Sequence, residues 1–283
     1  MINRVSVWLN ENEMGTVVRS EPLTGGSINR ASRLVLDRGP ALVLKENDGM
    51  PEDFFTAEAA GLAALQQTGS VRTPEVVHVE SDYILLEDLG QSSKSESFWQ
   101  ELGTALATLH SNQQAKFGFP LDNYCGATRQ VNTLSSDGYT FFAEYRLMTL
   151  ARQADDAGLL DRALTRRIES LCSRLDQLIP AQPAALLHGD LWSGNIHCCE
   201  TGQAAVIDPA AYYGWPEAEL AMTQLFGQFD GAFYEAYQAT AKIEPDWSDR
   251  ADLYNLYHLL NHLLMFGGSY LAPINETIKR YAN

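Results

Sequence analysis

Along the first ninety positions, apolar residues come in short runs broken by glycine and proline. TVVRSEPL leads into TGGSINRA, SRLVLDR leads into RGP, and ALVLKEN and YILLEDL follow. β-Branched and leucine-rich runs of this length, bounded by turn residues, predict strands. DFFTAEAAGLAALQQTG departs from that pattern. Phe55, Ala59, Leu62 and Leu65 recur at helical spacing and predict one amphipathic helix. The predicted order is strand, glycine turn, strand, hairpin, strand, helix, strand, strand. From Ser95 the period changes. SFWQELGTALATLHSNQQ places Trp99, Leu102, Leu106 and Leu109 on one helix face. FFAEYRLMTLARQAD, LTRRIESLCSRLDQLI and the runs around ELAMTQLF, FYEAYQA and DLYNLYHLLNHLLMFGG also read as helices. One stretch, LLHGDLWSGNIHCCETGQAAVIDPA, interrupts them. Its start ends an apolar run, SGNIHCC reads as a loop and short strand, and GQAAVIDPA reads as a hairpin return. The pattern predicts an α+β protein of two lobes. Residues 1–90 form a small antiparallel β-rich lobe with one helix, and residues 91–283 form a larger helical lobe with an inset hairpin. Tyr83 to Gly90 is the expected crossing between them.

Composition adds limits. The chain of 283 residues is 45% apolar and 20% charged, enough for one large domain or two lobes sharing a cleft. There is no internal repeat. The net charge of -16 argues against nucleic acid or an anionic membrane as a partner. A small anion is not excluded, because the five basic and four acidic side chains between Thr16 and Asp48 leave that segment near neutral. No leader-like segment opens the chain and no run of eighteen apolar residues follows. Cys125, Cys172, Cys198 and Cys199 are poorly spaced for a disulfide framework, so free thiols in a cytoplasmic protein are expected. Oligomeric state is left open between monomer and homodimer.

The interrupting stretch concentrates candidate chemistry. A zinc cage of His188, His197, Cys198 and Cys199 is disfavoured, since adjacent cysteines on a strand point to opposite faces. A dithiol redox pair needs a two-residue spacer that CC lacks. A serine hydrolase elbow needs G-x-S-x-G, which LWSGN does not supply. Phosphoryl transfer fits better. It requires a carboxylate near the attacking hydroxyl, oxygen ligands for Mg²⁺, a cation on the phosphates and a backbone cover. Asp190 and Asn195 stand five apart, and Asp208 returns thirteen residues later after the short strand AAVI. That spacing lets Asn195 and Asp208 share a hard cation while Asp190 orients the acceptor hydroxyl. Upstream, Gly25 and Gly26 let backbone approach a phosphate and Ser27 offers a hydroxyl. Lys45 ends the strand ALVLK, and Glu58 on the next helix, thirteen residues on, can hold its ammonium.

This arrangement resembles the protein-kinase-like fold, with HGD and DPA standing in its catalytic and metal-binding motifs. Within that fold the chain closely resembles the fructosamine kinase (ketosamine-3-kinase) family. The likeness runs from about Thr24 to Gly268 through GGSIN, FFTAEAAGLAAL, TPEVV, ILLEDL, LGTALATLH, FGFPLDNYCG, HGDLWSGN, VIDPAAYYG, LAMTQLFG and YNLYHLLNHL. The resemblance implies ATP and Mg²⁺ as cofactors. It implies Lys45 on the α- and β-phosphates oriented by Glu58, and Gly25, Gly26 and Ser27 as the phosphate cover. It further implies Glu87, Asp88 and Leu89 as the adenine-holding hinge, Asp190 as catalytic base, and Asn195 and Asp208 as metal ligands. The acceptor is then the 3-hydroxyl of a ketosamine, free or on a protein lysine, and its phosphorylation leads to deglycation.

Two stretches depart from the family pattern. No tryptophan follows Gln130 and Asn132, and Trp215 and Pro216 stand where relatives tend to have histidine and arginine. Both are expected on the acceptor side. The predicted acceptor pocket comprises Trp192, Asn132, Trp215, Glu217, Tyr257 and His258. Glu217, Glu219 and Asp190 would favour a cationic partner there, or the first two would serve as a solvated or helix-capping pair. Rival readings are a kinase of another acceptor (aminoglycoside, choline or sugar) and a nucleotide-binding scaffold without catalysis.

Overall fold

The computed structural model describes residues 2–24, 28–241 and 243–281. The amino-terminal part begins with helix α1 (Ile2–Glu11) and strands β1 (Val17–Leu23), β2 (Arg30–Leu36) and β3 (Leu42–Glu46). Helix α2 (Phe54–Gln67) and strands β4 (Val76–Val79) and β5 (Tyr83–Glu87) complete it. The five strands form one antiparallel sheet in the order β1-β2-β3-β5-β4. Side-chain alternation divides its two faces. Leu42, Leu44, Tyr83 and Leu85 point to one face and pack under α1 with Val5 and Leu9. Ile84 and Leu86 point to the other and meet Phe54, Phe55 and Leu62 of α2. Lys45, one position on from Leu44, therefore falls on the α2 face, and register sets it opposite Ile84.

Helix α1 was not among the predicted elements. Its fully buried residues are Val5 and Leu9, with Trp8 partly buried beside them, too few to stand out as a period in a polar stretch. The other predicted elements of this part are present in the predicted order.

The second part is helical. Helix α3 (Phe98–Leu109) leads through β6 (Gln113–Gln114) to the hairpin β7 (Asn123–Cys125) and β8 (Thr128–Gln130). The run FFAEYRLMTLARQAD, predicted as one helix, is α4 (Gly138–Phe142), a π-helical turn (Ala143–Met148) and α5 (Thr149–Asp156). Next come α6 (Arg162–Cys172), α7 (Leu175–Leu178), β9 (Ala184–Leu187), β10 (Ile196–Cys198), β11 (Ala204–Val206) and β12 (Tyr212–Gly214). Helices α8 (Pro216–Leu225), α9 (Gly231–Thr240), α10 (Ala251–Phe266) and α11 (Leu271–Tyr281) close the chain. Helix α10 is buried nearly all round, including Leu253, Leu256, Leu260 and Leu263, and forms the axis of the lobe. No described helix is long and apolar enough to cross a membrane.

Two small sheets frame the interrupting stretch. Strand β9 lies between β12 and β6, and β10 pairs with β11 as the predicted hairpin. Residues 188–195 are thereby held at one end by β9 and at the other by β10.

Candidate active site

Lys45 is the buried cation of the site. Its Nζ donates to Glu58 at 2.5 Å and to Asp208 at 2.9 Å. Burial opposes the ammonium form, but the charges and hydrogen bonds of Asp208 and Glu58 outweigh it and raise the Lys45 pKa. The amine is therefore a fixed positive charge facing the cleft. Asp208 sits at φ +58°, the left-handed region uncommon for a non-glycine residue, and its side chain is 45% exposed.

The loop around Asp190 is anchored from below. Glu219, buried on α8, accepts the backbone N–H of His188 at 3.0 Å and of Gly189 at 2.7 Å, and pairs with His110 at 3.0 Å. Burial alone would raise the Glu219 pKa. The His110 hydrogen bond, the His110 and His188 charges and the Gly189 N–H outweigh it and lower the pKa. His188 donates from Nε2 to the Ile207 carbonyl at 2.9 Å, and its Nδ1 accepts the Asp190 N–H at 3.3 Å. Gly189 has φ +86°, and a Cβ there would lie 2.1 Å from the Ala210 carbonyl oxygen. Only glycine lets the loop pass that close.

Asn195 donates from Nδ2 to the Asp190 carbonyl at 2.8 Å and to Asp190 Oδ2 at 3.2 Å. The Asn195 carbonyl accepts the Ile207 N–H at 3.1 Å, which brings Asp208 beside it. Burial, then the charge of Asp208, pushes the Asp190 carboxyl up to about 7, and the Asn195 hydrogen bond only partly offsets this.

These groups line one cleft of about 700 Å³. Its upper half is bounded by Ile28, Ala31, Val43, Leu86, Ile196 and Ile207, an apolar slot suited to a flat heterocycle. The segment Glu87 to Gly90 borders that slot with its side chains tied away. Glu87 bonds Arg72, and Asp88 accepts from Arg33 at 2.6 Å and from the Gly90 N–H at 3.1 Å. Gly25, Gly26 and Ser27 lie outside the described residues.

The lower half is built from the β7–β8 hairpin, Trp192 and the end of α10. Cys125, Gly126, Asn261, His262, Met265 and Phe266 line it. Asp190 is the charged residue among the described residues of this half. Among the described residues one group has donor atoms within 4.8 Å of each other, Cys125, Asp190 and His258. The disfavoured cage of His188, His197, Cys198 and Cys199 is not such a group. His197 donates instead to the Gly90 carbonyl at 2.5 Å.

Several acceptor-pocket residues are placed otherwise than the sequence suggested. Asn132 is buried in the lobe, donating to the Leu121 carbonyl at 3.0 Å and accepting from Arg146 at 2.7 Å. Trp215 is buried among Phe117, Tyr139, Phe142 and Tyr254. Glu217 is held by Arg250 through two hydrogen bonds of 2.8 Å and by Tyr254 at 3.0 Å. None of the three lines the cleft. Tyr257 is buried beneath it, donating to Gln130 at 2.6 Å. His258 reaches the Asp190 cluster, and burial holds its pKa down to about 3, so it is neutral. Glu217 and Glu219 are not a solvated pair but both buried, Glu219 as the loop anchor. The residues that sequence reasoning passed over are Cys125 and Asn261 beside Asp190 and Phe266 at the rim.

A β-rich lobe over a helical lobe, with a lysine–glutamate pair facing an Asp–Asn–Asp set across a cleft, defines a protein-kinase-like phosphotransferase. A macrolide 2'-phosphotransferase type I shares that fold alone, with a TM-score of 0.66 at 14% identity over 99% of this chain and 96% of that one. The fructosamine kinase family profile matches residues 1–283. A probable ketoamine kinase of Synechocystis is 39% identical over 268 residues, covering 91% of this chain and 88% of the relative. The crystal structure of a candidate fructosamine-3-kinase from Thermobifida fusca superposes with a TM-score of 0.90 at 31% identity, covering 100% and 99% of the two chains. The chain belongs to the fructosamine kinase family.

Proposed function

We propose that the protein transfers the γ-phosphoryl group of ATP to the 3-hydroxyl of a ketosamine, a sugar joined through carbon 1 to an amine. The observation that carries this reading is the cleft in which a fixed Lys45 ammonium faces a carboxyl poised near neutrality. Asp190 takes the proton of the attacking hydroxyl, for which a pKa near the working pH is suited. Lys45, oriented by Glu58, holds the phosphates, and backbone groups of Glu87 to Leu89 hold the adenine. Asn195 and Asp208 fit a magnesium ion. The Asn195 amide nitrogen is spent on Asp190, leaving its oxygen for a cation, and Asp208 presents an exposed carboxylate beside it. Bound magnesium would neutralise charge on the β- and γ-phosphate oxygens. The lobe boundary is set at residues 90 and 91.

The lower half of the cleft favours an acceptor with a single amine. Apart from Asp190, which is assigned to the hydroxyl, the described lining of this half is uncharged, apolar and aromatic. A polycationic aminoglycoside would find few partners, although that branch shares the fold. Phosphorylation at the 3-position destabilises the adduct, which sheds the sugar and frees the amine.

The test is ADP release against a panel of ketosamines, aminoglycosides, choline and simple sugars, with the product phosphate located. Turnover on ketosamines with phosphate at oxygen 3 is expected, and Asp190→Ala should lower kcat by about 10³ or more. Turnover on another acceptor and none on any ketosamine would overturn the substrate assignment.

A further inference from the structure

Where β7 ends against α10, three donor groups of different chemistry converge that phosphoryl transfer does not need together. Cys125 Sγ, one ring nitrogen of His258 and one carboxylate oxygen of Asp190 all lie within 4.8 Å of one another. Each stands on an anchored element. The Cys125 carbonyl accepts from Asn261 Nδ2 of α10 at 3.1 Å. A Cβ on Gly126 would lie 2.7 Å from Met265 Sδ, so the β7–β8 turn is pressed onto the same helix. His258 precedes Asn261 by one helical turn and shares its face. Asp190 sits on the loop held by Glu219, and Asn195 donates to its Oδ2, which leaves Oδ1 for another partner.

The polar capacity left over at this place suits a cation. His258 is 5% exposed and Asn261 0%. Among the described residues, His258 Nδ1 and Asn261 Oδ1 are buried without a hydrogen-bond partner. Native interiors leave few such atoms. A carboxylate, an ionisable thiol, an imidazole and an amide oxygen all offer lone pairs.

We propose that Cys125, His258 and Asp190 form a binding site for zinc, and that the bound ion switches the enzyme off. Binding rests on the donor set alone. The switching rests on the reading of Asp190 as base given above. Sulfur and imidazole select zinc over magnesium, which prefers oxygen ligands such as Asn195 and Asp208 offer. Around a tetrahedral zinc, neighbouring ligand atoms lie roughly 3.3–3.6 Å apart. The three donors reach that spacing with side-chain movements of about an ångström. Cys125 and Asp190 line the cleft, so the ion enters from there and water takes the fourth position. On binding, the thiol gives its proton to solvent and a zinc–sulfur bond replaces S–H. The Asp190 carboxylate is then spent on the metal and cannot take the proton of the acceptor hydroxyl.

The experiment measures turnover with Mg-ATP saturating and free zinc fixed by a chelator buffer, on whichever acceptor reacts. Zinc should compete with the acceptor and not with ATP, and excess chelator should restore the full rate. Cys125→Ala should raise the half-inhibiting zinc concentration by about 100-fold, because losing a ligand costs at least as much as losing an outer partner. Each variant is compared with its own zinc-free rate. Equal zinc sensitivity in Cys125→Ala, or competition with ATP, would place the ion at the magnesium residues and overturn the inference. Binding is read without turnover by titrating cobalt(II) into the Mg-ADP-bound protein. A thiolate-to-cobalt charge-transfer band is expected, saturating at one ion per chain and lost in Cys125→Ser, whose fold circular dichroism checks. No band in the unaltered protein, or a band that persists in Cys125→Ser, also overturns it. Absence of turnover on every ketosamine with the band present sinks the acceptor reading alone, and turnover without the band sinks the site alone.

Discussion

Asp190, the proposed base, would join catalysis to stability in one side chain. Its carboxyl is neutral in the fold up to about pH 7, and burial is the main cause. In the unfolded chain an aspartate ionises near pH 4. Between those values the folded state binds the extra proton, so folding becomes less favourable as pH rises. Log kcat/KM should climb with unit slope to a bend near pH 7. Asp190→Asn should abolish turnover, yet be more stable than the unaltered protein by on the order of 2 kcal/mol at pH 8, since the cleft is partly open to water. The gain should fade toward pH 4, and urea denaturation at the two pH values reads it. A loss of stability in Asp190→Asn at pH 8 would contradict the assigned environment. At this scale the sequence was legible where spacing constrained it. The Asp190, Asn195 and Asp208 pattern and the Lys45–Glu58 pair lie as their intervals predicted. Asn132, Trp215 and Glu217 were misplaced because a buried network residue and a pocket residue use the same letters. Nothing in sequence says that Arg250 and Arg146 occupy the polar atoms of Glu217 and Asn132.

Gly103 shows what element packing adds. It lies mid-way along α3, where alanine would ordinarily stabilise a helix by about 1 kcal/mol. Here a Cβ would lie 2.2 Å from the Phe233 carbonyl oxygen of α9. Backbone on backbone cannot yield as a flexible side chain would. Gly103→Ala should therefore reverse the usual sign and destabilise by about 3 kcal/mol, measured by urea denaturation. Element order in the β-rich lobe was readable because each strand is a four- to seven-residue run ended by turn residues. The small strands β6, β7, β8 and β12 were not readable. Two or three residues carry no period, and their pairing depends on partners far away in sequence. The π-helical turn was also hidden, since one inserted residue does not alter the apolar pattern enough to be seen. That turn buries Arg146, whose guanidinium lies 4.0 Å over Tyr212 and donates to the Val131 carbonyl at 2.7 Å.

Across the whole molecule, the segment Glu87 to Gly90 and the β10–β11 hairpin are tied into one body. Glu200 donates its N–H to the Leu89 carbonyl at 3.0 Å, Val206 donates to the Arg72 carbonyl at 2.8 Å, and His197 holds Gly90. A nucleotide held at Glu87 to Leu89, as proposed, would thus be indexed to Asp190 through the β10–β11 hairpin. The net charge of -16 surrounds this unit. Its long-range field attracts a ketosamine, whose secondary amine is protonated, and repels anionic ATP, while Lys45 acts only at contact distance. Salt shortens the reach of that field from roughly 20–30 Å in dilute buffer to a few ångströms near molar ionic strength. Raising KCl from about 0.02 M to about 0.5 M should lower kcat/KM for the ketosamine several-fold and raise it for ATP, each measured with the other substrate saturating. The opposite signs are the diagnostic. A common fall in both would mean that salt acts on the fold, and a rise for the ketosamine would mean that the local field at the acceptor mouth is positive, against the residues that line it.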